Sequence, residues 1–209
     1  MLILGITGGI ATGKSVVTHL FSELGAPTLS ADAIAHALLR PGTEVTRAVL
    51  QAFPLAADTS DPEGMTVDRR ALGQLVFAER EARHRLEALT HPPIRAALRA
   101  QIALWRSMEQ PCAAAVEIPL LFESHLETMV DKIVVTACAD ALQLSRLMAR
   151  GLEEPEARRR LAAQWPLAEK VARADYVITT DGSLEDTLRQ VQRLWAEADA
   201  ASDKGTFGS

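Results

Sequence analysis

The N-terminal segment carries residue types that proteins use to hold a chain of phosphate groups. Residues 8–15 include three glycines and end in Lys14 and Ser15. Glycine lets the main chain approach an anion without a Cβ in the way, so that successive backbone N–H groups can face it. In the pattern G-x-x-x-x-G-K-[ST], which this segment fills, the lysine reaches the β- and γ-phosphates and the hydroxyl binds Mg²⁺. The spacing therefore predicts a phosphate-binding loop, here called the phosphate loop.

The flanking residues match the elements that such a loop needs. The apolar run 2–6 is typical of a buried strand, and the apolar positions within 16–24 recur at helical spacing. A glycine turn that merely precedes a helix is the alternative, and the strand–loop–helix order argues against it. The stretch 61–64 resembles the D-x-x-G element of switch GTPases. No strand pattern precedes it and N-K-x-D is absent, so that class is disfavoured.

Asp32 is a candidate catalytic base. It follows a second candidate strand, 27–30, and begins a candidate helix, 31–40. Ligands of parallel α/β sheets bind outside the carboxyl ends of the strands, so Asp32 would share a rim with the phosphate loop if both strands are parallel. A carboxylate there could accept the proton of an attacking hydroxyl. Aspartate is also a common helix cap, and the residues alone leave both interpretations open.

Other residues also admit a functional and a structural interpretation. Glu117 lies in the candidate strand 113–118, where a buried acid is costly unless it is paired or near a metal. It is therefore a candidate Mg²⁺ ligand or a strand-end residue at the edge of a cleft. His91 and Pro92 lie where the helical pattern of 79–108 is expected to break. This histidine is either a capping or packing residue or a contact to substrate.

Arginines cluster in the segment 140–165. Arg146 and Arg150 are four residues apart on a candidate helix and share one face. A charged stretch, 153–160, follows after a short break. A helical hairpin of this kind could form a lid whose guanidinium groups neutralise charge on a transferred phosphoryl group. The alternative is a solvated pair of helices whose glutamates balance the arginines.

Length and composition describe an ordinary globular chain. Its 209 residues fit one domain or one core with small subdomains, and 48% are hydrophobic and 23% charged. The formal charge of −5 argues against a broad nucleic-acid surface. Cys112 and Cys138 have no metal-ligand spacing and form no disulfide framework, which favours a reducing compartment. Neither a signal peptide nor a membrane-spanning stretch is recognisable, so we expect a cytoplasmic protein that binds no membrane.

Strand patterns alternate with helical patterns along most of the chain, which predicts an α/β fold with a parallel sheet flanked by helices. The candidate strands are 2–6, 27–30, 113–118, 133–136 and 176–179. The segment 58–110 lacks strand patterns and predicts a helical insert over the ligand cleft. An amphipathic helix closes the domain at about residue 198, and the polar tail 199–209 is expected to be disordered.

Taken in order, these segments resemble dephospho-coenzyme A kinases over almost the whole chain. The motifs that carry the resemblance are Ile6-Thr-Gly-Gly-Ile-Ala-Thr-Gly-Lys-Ser15, Ala31-Asp32-Ala-Ile-Ala35, Pro41-Gly42, Asp68-Arg69, Leu72-Gly-Gln-Leu-Val-Phe77, His91-Pro92-Pro-Ile94, Pro119-Leu-Leu-Phe-Glu123, Gln143-Leu-Ser-Arg146-Leu-Met-Ala-Arg150, Gln164, Lys170 and Ala174-Asp175-Tyr-Val-Ile178. Many unrelated proteins share the phosphate loop, whereas its combination with the His-Pro and Pro-Leu-Leu-Phe-Glu segments is far more selective.

The resemblance implies a P-loop kinase that uses Mg²⁺ and ATP to phosphorylate the ribose 3′-hydroxyl of dephospho-coenzyme A. It implies a core over 1–57, 111–139 and 166–198, a helical substrate subdomain over 58–110 and a lid over 140–165. The implied catalytic residues are Lys14, Asp32 and Arg146. The implied ATP-binding residues are Gly8, Gly9, Ala11, Thr12, Gly13, Lys14, Ser15, Val16, Arg146, Arg150 and Gly182. The implied substrate contacts are Asp32, His91, Pro92 and Leu120, and Ser15 is the implied Mg²⁺ ligand, with Glu117 as the weaker candidate.

Two positions depart from the family pattern. Ser30 stands where the family usually has the first acid of Asp-Ala-Asp, so a role for that acid is not available. Thr180 stands where the family usually has asparagine, which puts a side-chain contact with adenine in doubt. The alternatives to this function are another small-molecule or nucleotide kinase and a non-catalytic nucleotide-binding module. The predicted assembly is a monomer or a weak homo-oligomer.

Overall fold

A five-stranded parallel sheet forms the centre of the protein in the computed structural model, which describes residues 1–108 and 110–203. The strands are β1 (Leu2–Gly8), β2 (Thr28–Ser30), β3 (Ala113–Glu117), β4 (Lys132–Ala137) and β5 (Tyr176–Thr179). Their order across the sheet is β2-β3-β1-β4-β5, and every neighbouring pair is parallel. This confirms the predicted fold class and all five candidate strands, with ends that shift by one or two residues.

Nine α-helices surround the strands or form the insert within the described residues. They are α1 (Lys14–Glu23), α2 (Ala31–Leu38), α3 (Glu44–Ala52), α4 (Arg69–Ala78), α5 (Arg80–Arg106), α6 (Asp140–Ala149), α7 (Glu154–Ala162), α8 (Leu167–Ala172) and α9 (Leu184–Asp203). Short 3₁₀ turns occur at Pro54–Ala56 and Glu127–Met129. In these parts of the chain, none of the helices is long and apolar enough to cross a membrane.

The central strands are apolar because they are covered on both faces. Every residue of β1 and β3 is buried, as expected for the middle of a parallel sheet. On one face, Val17 and Phe21 of α1 pack with Val191 and Leu194 of α9 against the side chains of these strands. This packing fixes the start of α1, and hence the phosphate loop, at the carboxyl end of β1.

The described residues form two compact units, Met1–Ser30 with Ile102–Ser209 and Ala31–Gln101. The first, the sheet unit, contains all five strands. The second, the helical unit, has its own apolar core, which consists of Val49, Phe53, Ala56, Val67, Leu72 and Ala82. The helical unit begins at Ala31, so α2 and α3 belong to it, whereas the sequence places them with the core. The functional division into core, substrate subdomain and lid stays a prediction.

The predicted break at His91–Pro92 is wrong, because α5 continues through it with Pro92 and Pro93 inside the helix. Each interior proline removes one backbone hydrogen bond and costs roughly 3 kcal/mol in a helix. Apolar side chains are buried on both sides of the prolines, at Ala82 and Leu98, and their burial favours the continuous helix. Local pattern therefore predicted two helices where tertiary packing makes one.

Two other differences concern the C-terminal part of the chain. The short helix α8 was not predicted, since its six residues are too few to show a helical period. The closing helix α9 extends to Asp203, beyond the end predicted at residue 198. The remainder of the predicted tail, 204–209, lies outside the described residues.

A buried ion pair joins α8 to the segment that follows β3. Lys170 is fully buried, and its Nζ lies 2.6 Å from Glu123 Oε1, which also accepts a hydrogen bond from the backbone N–H of Trp165 at 3.3 Å. The Trp165 ring stacks on Phe122 at a centroid distance of 6.1 Å, and the Arg173 guanidinium lies 4.9 Å from the Trp165 ring centroid. The pair therefore anchors α8, which follows the α6–α7 hairpin, to the segment after β3.

We expect Lys170→Met to destabilise the protein strongly. Removal of one partner of a buried ion pair leaves the other charge uncompensated, which costs about 3–5 kcal/mol. Urea unfolding followed by circular dichroism measures the change in the free energy of unfolding.

Lys132→Met is the matched control for this prediction. Lys132 Nζ also pairs with a carboxylate, Asp175 Oδ1 at 2.9 Å, but both side chains are about one-third exposed. Pairs in that setting contribute under about 1 kcal/mol. Equal losses in the two variants would contradict the role assigned to the buried pair.

Candidate active site

The phosphate loop connects β1 to α1 in a conformation that suits anion binding. Gly8 and Gly13 have positive φ angles of 151° and 86°, and Ala11 adopts the left-handed region at 61°, which is uncommon for a residue with a Cβ. The N–H groups of the first turn of α1 have no partners within a helix and can face a phosphate. Lys14 Nζ donates to the Gly9 carbonyl at 2.8 Å, so the lysine side chain folds back over the loop.

Buried threonines hold this loop in place through hydrogen bonds. Thr12 Oγ1 donates to the Gly9 carbonyl at 2.8 Å and lies 2.7 Å from Thr136 Oγ1 on β4. Thr136 Oγ1 donates to the Thr7 carbonyl at 3.3 Å, and Thr7 Oγ1 donates to the Pro119 carbonyl at 3.2 Å. These three threonines are fully buried, and their hydroxyls join the loop to β1, β4 and the segment after β3. Sequence analysis missed Thr136, whose signal is a polar residue in an otherwise β-branched apolar strand.

Arg146, a predicted ATP-binding and catalytic residue, lies directly against the phosphate loop. Its Nη1 donates to the Ala11 carbonyl at 3.1 Å and to Thr180 Oγ1 at 3.0 Å, and its Nη2 donates to the Thr180 carbonyl at 2.7 Å. All of these partners are uncharged, and among the described residues no carboxylate pairs with Arg146. Its positive charge is therefore available to an anion held by the loop. Arg150 is exposed at the end of α6.

The remaining arginines of the hairpin are balanced within α7. Arg158 pairs with Glu154 at 2.6 Å, and Arg159 and Arg160 pair with Glu156 at 2.8 and 2.9 Å. The pKa of the Glu156 carboxyl lies below its usual value, chiefly because of its hydrogen bond with Arg160. These ion pairs within α7 are those expected of a solvated helix whose glutamates balance its arginines, which is the alternative to a lid.

The hairpin nevertheless contacts the phosphate loop. Leu147 of α6 and Ala157 of α7 form an apolar cluster with Ala11, and Gln164 Oε1 accepts a hydrogen bond from the Ile10 N–H at 2.8 Å. A cavity of about 690 Å³ lies beside this contact. It is lined by Gly9, Gln143, Arg158, Leu161, Gln164 and Trp165. The sequence marked Gln164 only as part of the resemblance, and its contact with the loop is visible only in three dimensions.

The two predicted metal ligands lie side by side. Ser15 Oγ donates to Glu117 Oε1 at 3.0 Å, and Glu117 is only 7% exposed at the carboxyl end of β3. A hydroxyl and a carboxylate are hard oxygen ligands of the kind that Mg²⁺ takes from proteins, which usually contribute only one or two. The described residues contain no group of three or more histidine, cysteine, aspartate or glutamate side chains that could hold a metal ion.

Asp32 lies in the helical unit, in the first turn of α2, and its side chain is exposed. Because α2 begins at Ala31, the capping position falls on Ser30 and not on Asp32. Ser30 is the last residue of β2 and lies opposite Glu117 in the parallel register. The condition set for Asp32, that β2 runs parallel to β1, is therefore met, whereas its catalytic role stays a prediction.

The predicted substrate contacts fall in both units. His91 and Pro92 line a cleft of about 420 Å³ on α5, together with Glu87, Arg95 and Arg99. Leu120 belongs to the sheet unit, where it follows β3 and is 44% exposed. The predicted ATP contact Gly182 is exposed in the loop between β5 and α9.

The Sγ atom of Cys138 lies 3.6 Å from Arg146 Nη1. Burial raises the pKa of the Cys138 thiol above its usual value, and this outweighs the opposing effect of the Arg146 guanidinium. The side chain therefore stays a neutral thiol at neutral pH. Both cysteines are free and buried.

We expect Gly8→Ala to weaken nucleotide binding. An added Cβ would lie 2.4 Å from the Thr136 carbonyl oxygen and 2.8 Å from Thr12 Oγ1, so the loop must move. Overpacking of this kind costs about 1–3 kcal/mol, which corresponds to a loss of ATP affinity of roughly tenfold or more. Calorimetric titration with Mg-ATP measures the affinity.

Gly73→Ala is the control for this variant. Gly73 is exposed on α4, and an added Cβ meets no atom within 4 Å, so ATP affinity should be unchanged. Wild-type affinity in Gly8→Ala would contradict the geometry assigned to the loop.

Comparison with known proteins bears on the family of the chain. The family model for dephospho-CoA kinase matches residues 2–186. The dephospho-CoA kinase of Geobacillus kaustophilus is 44% identical over 201 residues, which cover 95% of this chain and 98% of that protein. The enzyme of the same name from Anaeromyxobacter dehalogenans is 43% identical, with coverage of 94% and 92%. The solved structure of dephospho-CoA kinase from Campylobacter jejuni matches with a TM-score of 0.73 and 32% identity, over 95% of this chain and 98% of that one. These matches confirm the resemblance seen in the sequence, and the chain belongs to the dephospho-CoA kinase family.

Proposed function

We propose that this protein transfers the γ-phosphoryl group of ATP to the ribose 3′-hydroxyl of dephospho-coenzyme A, giving coenzyme A and ADP. The observation that carries this proposal is the phosphate loop beside the Ser15–Glu117 oxygen pair, with Arg146 against the same loop and paired with no carboxylate of residues 1–108 and 110–203. A triphosphate needs these three features, and the membership of the family supplies the acceptor.

The reaction is an in-line displacement at the γ-phosphorus. The loop N–H groups and Lys14 hold the β- and γ-phosphates, and Arg146 stabilises the negative charge that spreads over the transferred group. The 3′-oxygen forms the new P–O bond as the bond to the β,γ-bridging oxygen breaks. That oxygen leaves on ADP, and the proton of the 3′-hydroxyl passes to the Asp32 carboxylate.

Asp32 is the group proposed to orient the hydroxyl and accept its proton. Three features support this role: its position two residues after β2, its exposed carboxylate, and the fact that Ser30, not Asp32, occupies the capping position of α2. A carboxylate beside the acceptor hydroxyl can take up its proton as the phosphoryl group is transferred.

Ser15 and Glu117 are the residues that would hold Mg²⁺. When bound, the ion neutralises phosphate charge and fixes the geometry of the β- and γ-oxygens. Ser15 would contribute its hydroxyl directly, and Glu117 would bind the ion or one of its waters. Their contact at 3.0 Å supports a shared ligand sphere.

The remaining contacts follow from the same proposal. His91, Pro92 and Leu120 would bind dephospho-coenzyme A, and Arg150 and Gly182 would complete the nucleotide site. The segment 140–165 would act as the lid. The proposed partners are small molecules, and the proposed assembly is a monomer or a weak homo-oligomer. The two free, buried thiols support a reducing, cytoplasmic location.

Incubation with Mg-ATP and dephospho-coenzyme A, followed by mass spectrometry, tests the function. We expect a product heavier by one phosphoryl group at the ribose 3′-position, and no product from Lys14→Ala. Transfer to a different alcohol in a substrate panel would favour another small-molecule kinase. Nucleotide affinity without transfer to any acceptor would favour a non-catalytic module.

We expect Asp32→Asn to keep ATP affinity while kcat falls by about 10²–10⁴-fold, the usual contribution of a general base. Steady-state kinetics and calorimetric titration separate the two quantities. Glu44→Gln is the matched control, since Glu44 is also an exposed acid in the first turn of a helix of the same unit. Unchanged turnover in Asp32→Asn would require another base.

A further inference from the structure

Thr180 is a buried polar residue with more hydrogen bonds than a loop position usually makes. It follows β5 directly and is 5% exposed. Its N–H donates to the Ala137 carbonyl at 2.8 Å, and its hydroxyl donates to the Thr12 carbonyl at 2.9 Å. The hydroxyl also accepts from Arg146 Nη1 at 3.0 Å, and its carbonyl accepts from Arg146 Nη2 at 2.7 Å.

The bond to the Thr12 carbonyl orients a phosphate-binding N–H group. In a trans peptide, the C=O and the following N–H point in opposite directions. With the Thr12 carbonyl held towards Thr180, the Gly13 N–H must point away from Thr180, where it can serve a phosphate bound on the opposite side of the peptide. The position of a Cβ on Gly13 would lie 3.3 Å from Thr180 Cγ2, so the methyl group of Thr180 also packs against the turn.

The same hydroxyl positions Arg146. A threonine hydroxyl has one hydrogen to donate, and here it goes to Thr12, which leaves the lone pairs to accept from the guanidinium. Arg146 also donates to the Ala11 carbonyl, so two consecutive carbonyls of the loop are held by this pair of side chains. Because its only hydrogen is already used, the Thr180 side chain cannot donate to the nucleotide base.

We propose that Thr180 is a positioning residue for the phosphate groups of ATP: it sets the Thr12–Gly13 peptide and the Arg146 guanidinium in their binding geometry and does not contact adenine. The proposal rests on the proposed function only for the identity of the nucleotide. It predicts that a change at Thr180 lowers the affinity for a ligand only through that ligand's phosphate groups.

The test compares three variants with two ligands. Thr180→Val removes the hydroxyl and keeps the shape, Thr180→Ser keeps the hydroxyl, and Thr179→Val alters an exposed neighbour. The ligands are a non-hydrolysable ATP analogue and inorganic tripolyphosphate, both with Mg²⁺, and titration calorimetry measures the affinities. We expect Thr180→Val to lose about tenfold in affinity for both ligands by the same factor, since one lost hydrogen bond is of that order. The affinities of Thr180→Ser should stay within about threefold of those of the wild type, since the hydroxyl is kept. Thr179→Val should bind both ligands with wild-type affinity.

Two results would overturn the proposal. In the first, Thr180→Val weakens ATP binding but leaves tripolyphosphate binding at the wild-type level, which would mean a contact with the base. In the second, folded Thr180→Ser is as weak as Thr180→Val, which would mean that shape and not the hydroxyl matters. If thermal melting shows that Thr180→Val does not fold, Thr180→Cys, which keeps a small side chain with a weak donor, replaces it in the comparison with Thr180→Ser.

The binding measurements need no acceptor. If the wild-type protein forms no coenzyme A, the proposed function is overturned. The role of Thr180 is still tested in that case, because the affinity of each variant for tripolyphosphate can be measured without an acceptor.

Discussion

A phosphate loop binds an anion only when its carbonyl oxygens point away from that anion. In the sheet unit, side chains from several elements donate to these carbonyls and hold them in place. The carbonyls of Gly9, Ala11 and Thr12 each accept a hydrogen bond from a side chain within the protein. The donors to the last two come from Arg146 and Thr180, which are distant in sequence. The Gly13 N–H is thereby turned away from Thr180, whereas the Ile10 N–H donates to Gln164 and the Thr12 N–H donates to the Gly9 carbonyl. Pre-organised donors of this kind need no rearrangement when charge develops during phosphoryl transfer.

The apolar sheet makes these polar contacts strong. Buried hydroxyl groups must find partners, and Thr7, Thr12 and Thr136 find them in one another and in nearby carbonyls. In a low-dielectric interior such bonds hold the loop in one arrangement, which includes the left-handed conformation of Ala11. Glu117 fits the same scheme, because an acid at the end of a buried strand is tolerated when Ser15 donates to it and when a cation can sit beside it.

Sequence patterns predicted the strands and the phosphate loop well, because both depend on short stretches of neighbouring residues. They failed at α5, where two prolines argue for a break but burial on either side keeps one helix. The compact unit Ala31–Gln101 includes α2 and α3, and the predicted division into core, substrate subdomain and lid stays a prediction. Thr180 appeared in the sequence only as a departure from the family pattern, since its partners Thr12 and Arg146 lie far away along the chain.

The sequence by itself determined the parallel α/β class, the position of the phosphate loop and the identity of Lys14, Ser15 and Asp32 as candidates, because residue type and spacing carry that information locally. Only the tertiary structure decided that Arg146 lies against the loop with no carboxylate partner in the described part of the chain, that Ser15 meets Glu117, and that Lys170 is buried against Glu123. The physical reason is that each of these contacts depends on which distant elements the buried sheet brings together. Burial, and not local propensity, sets those distances.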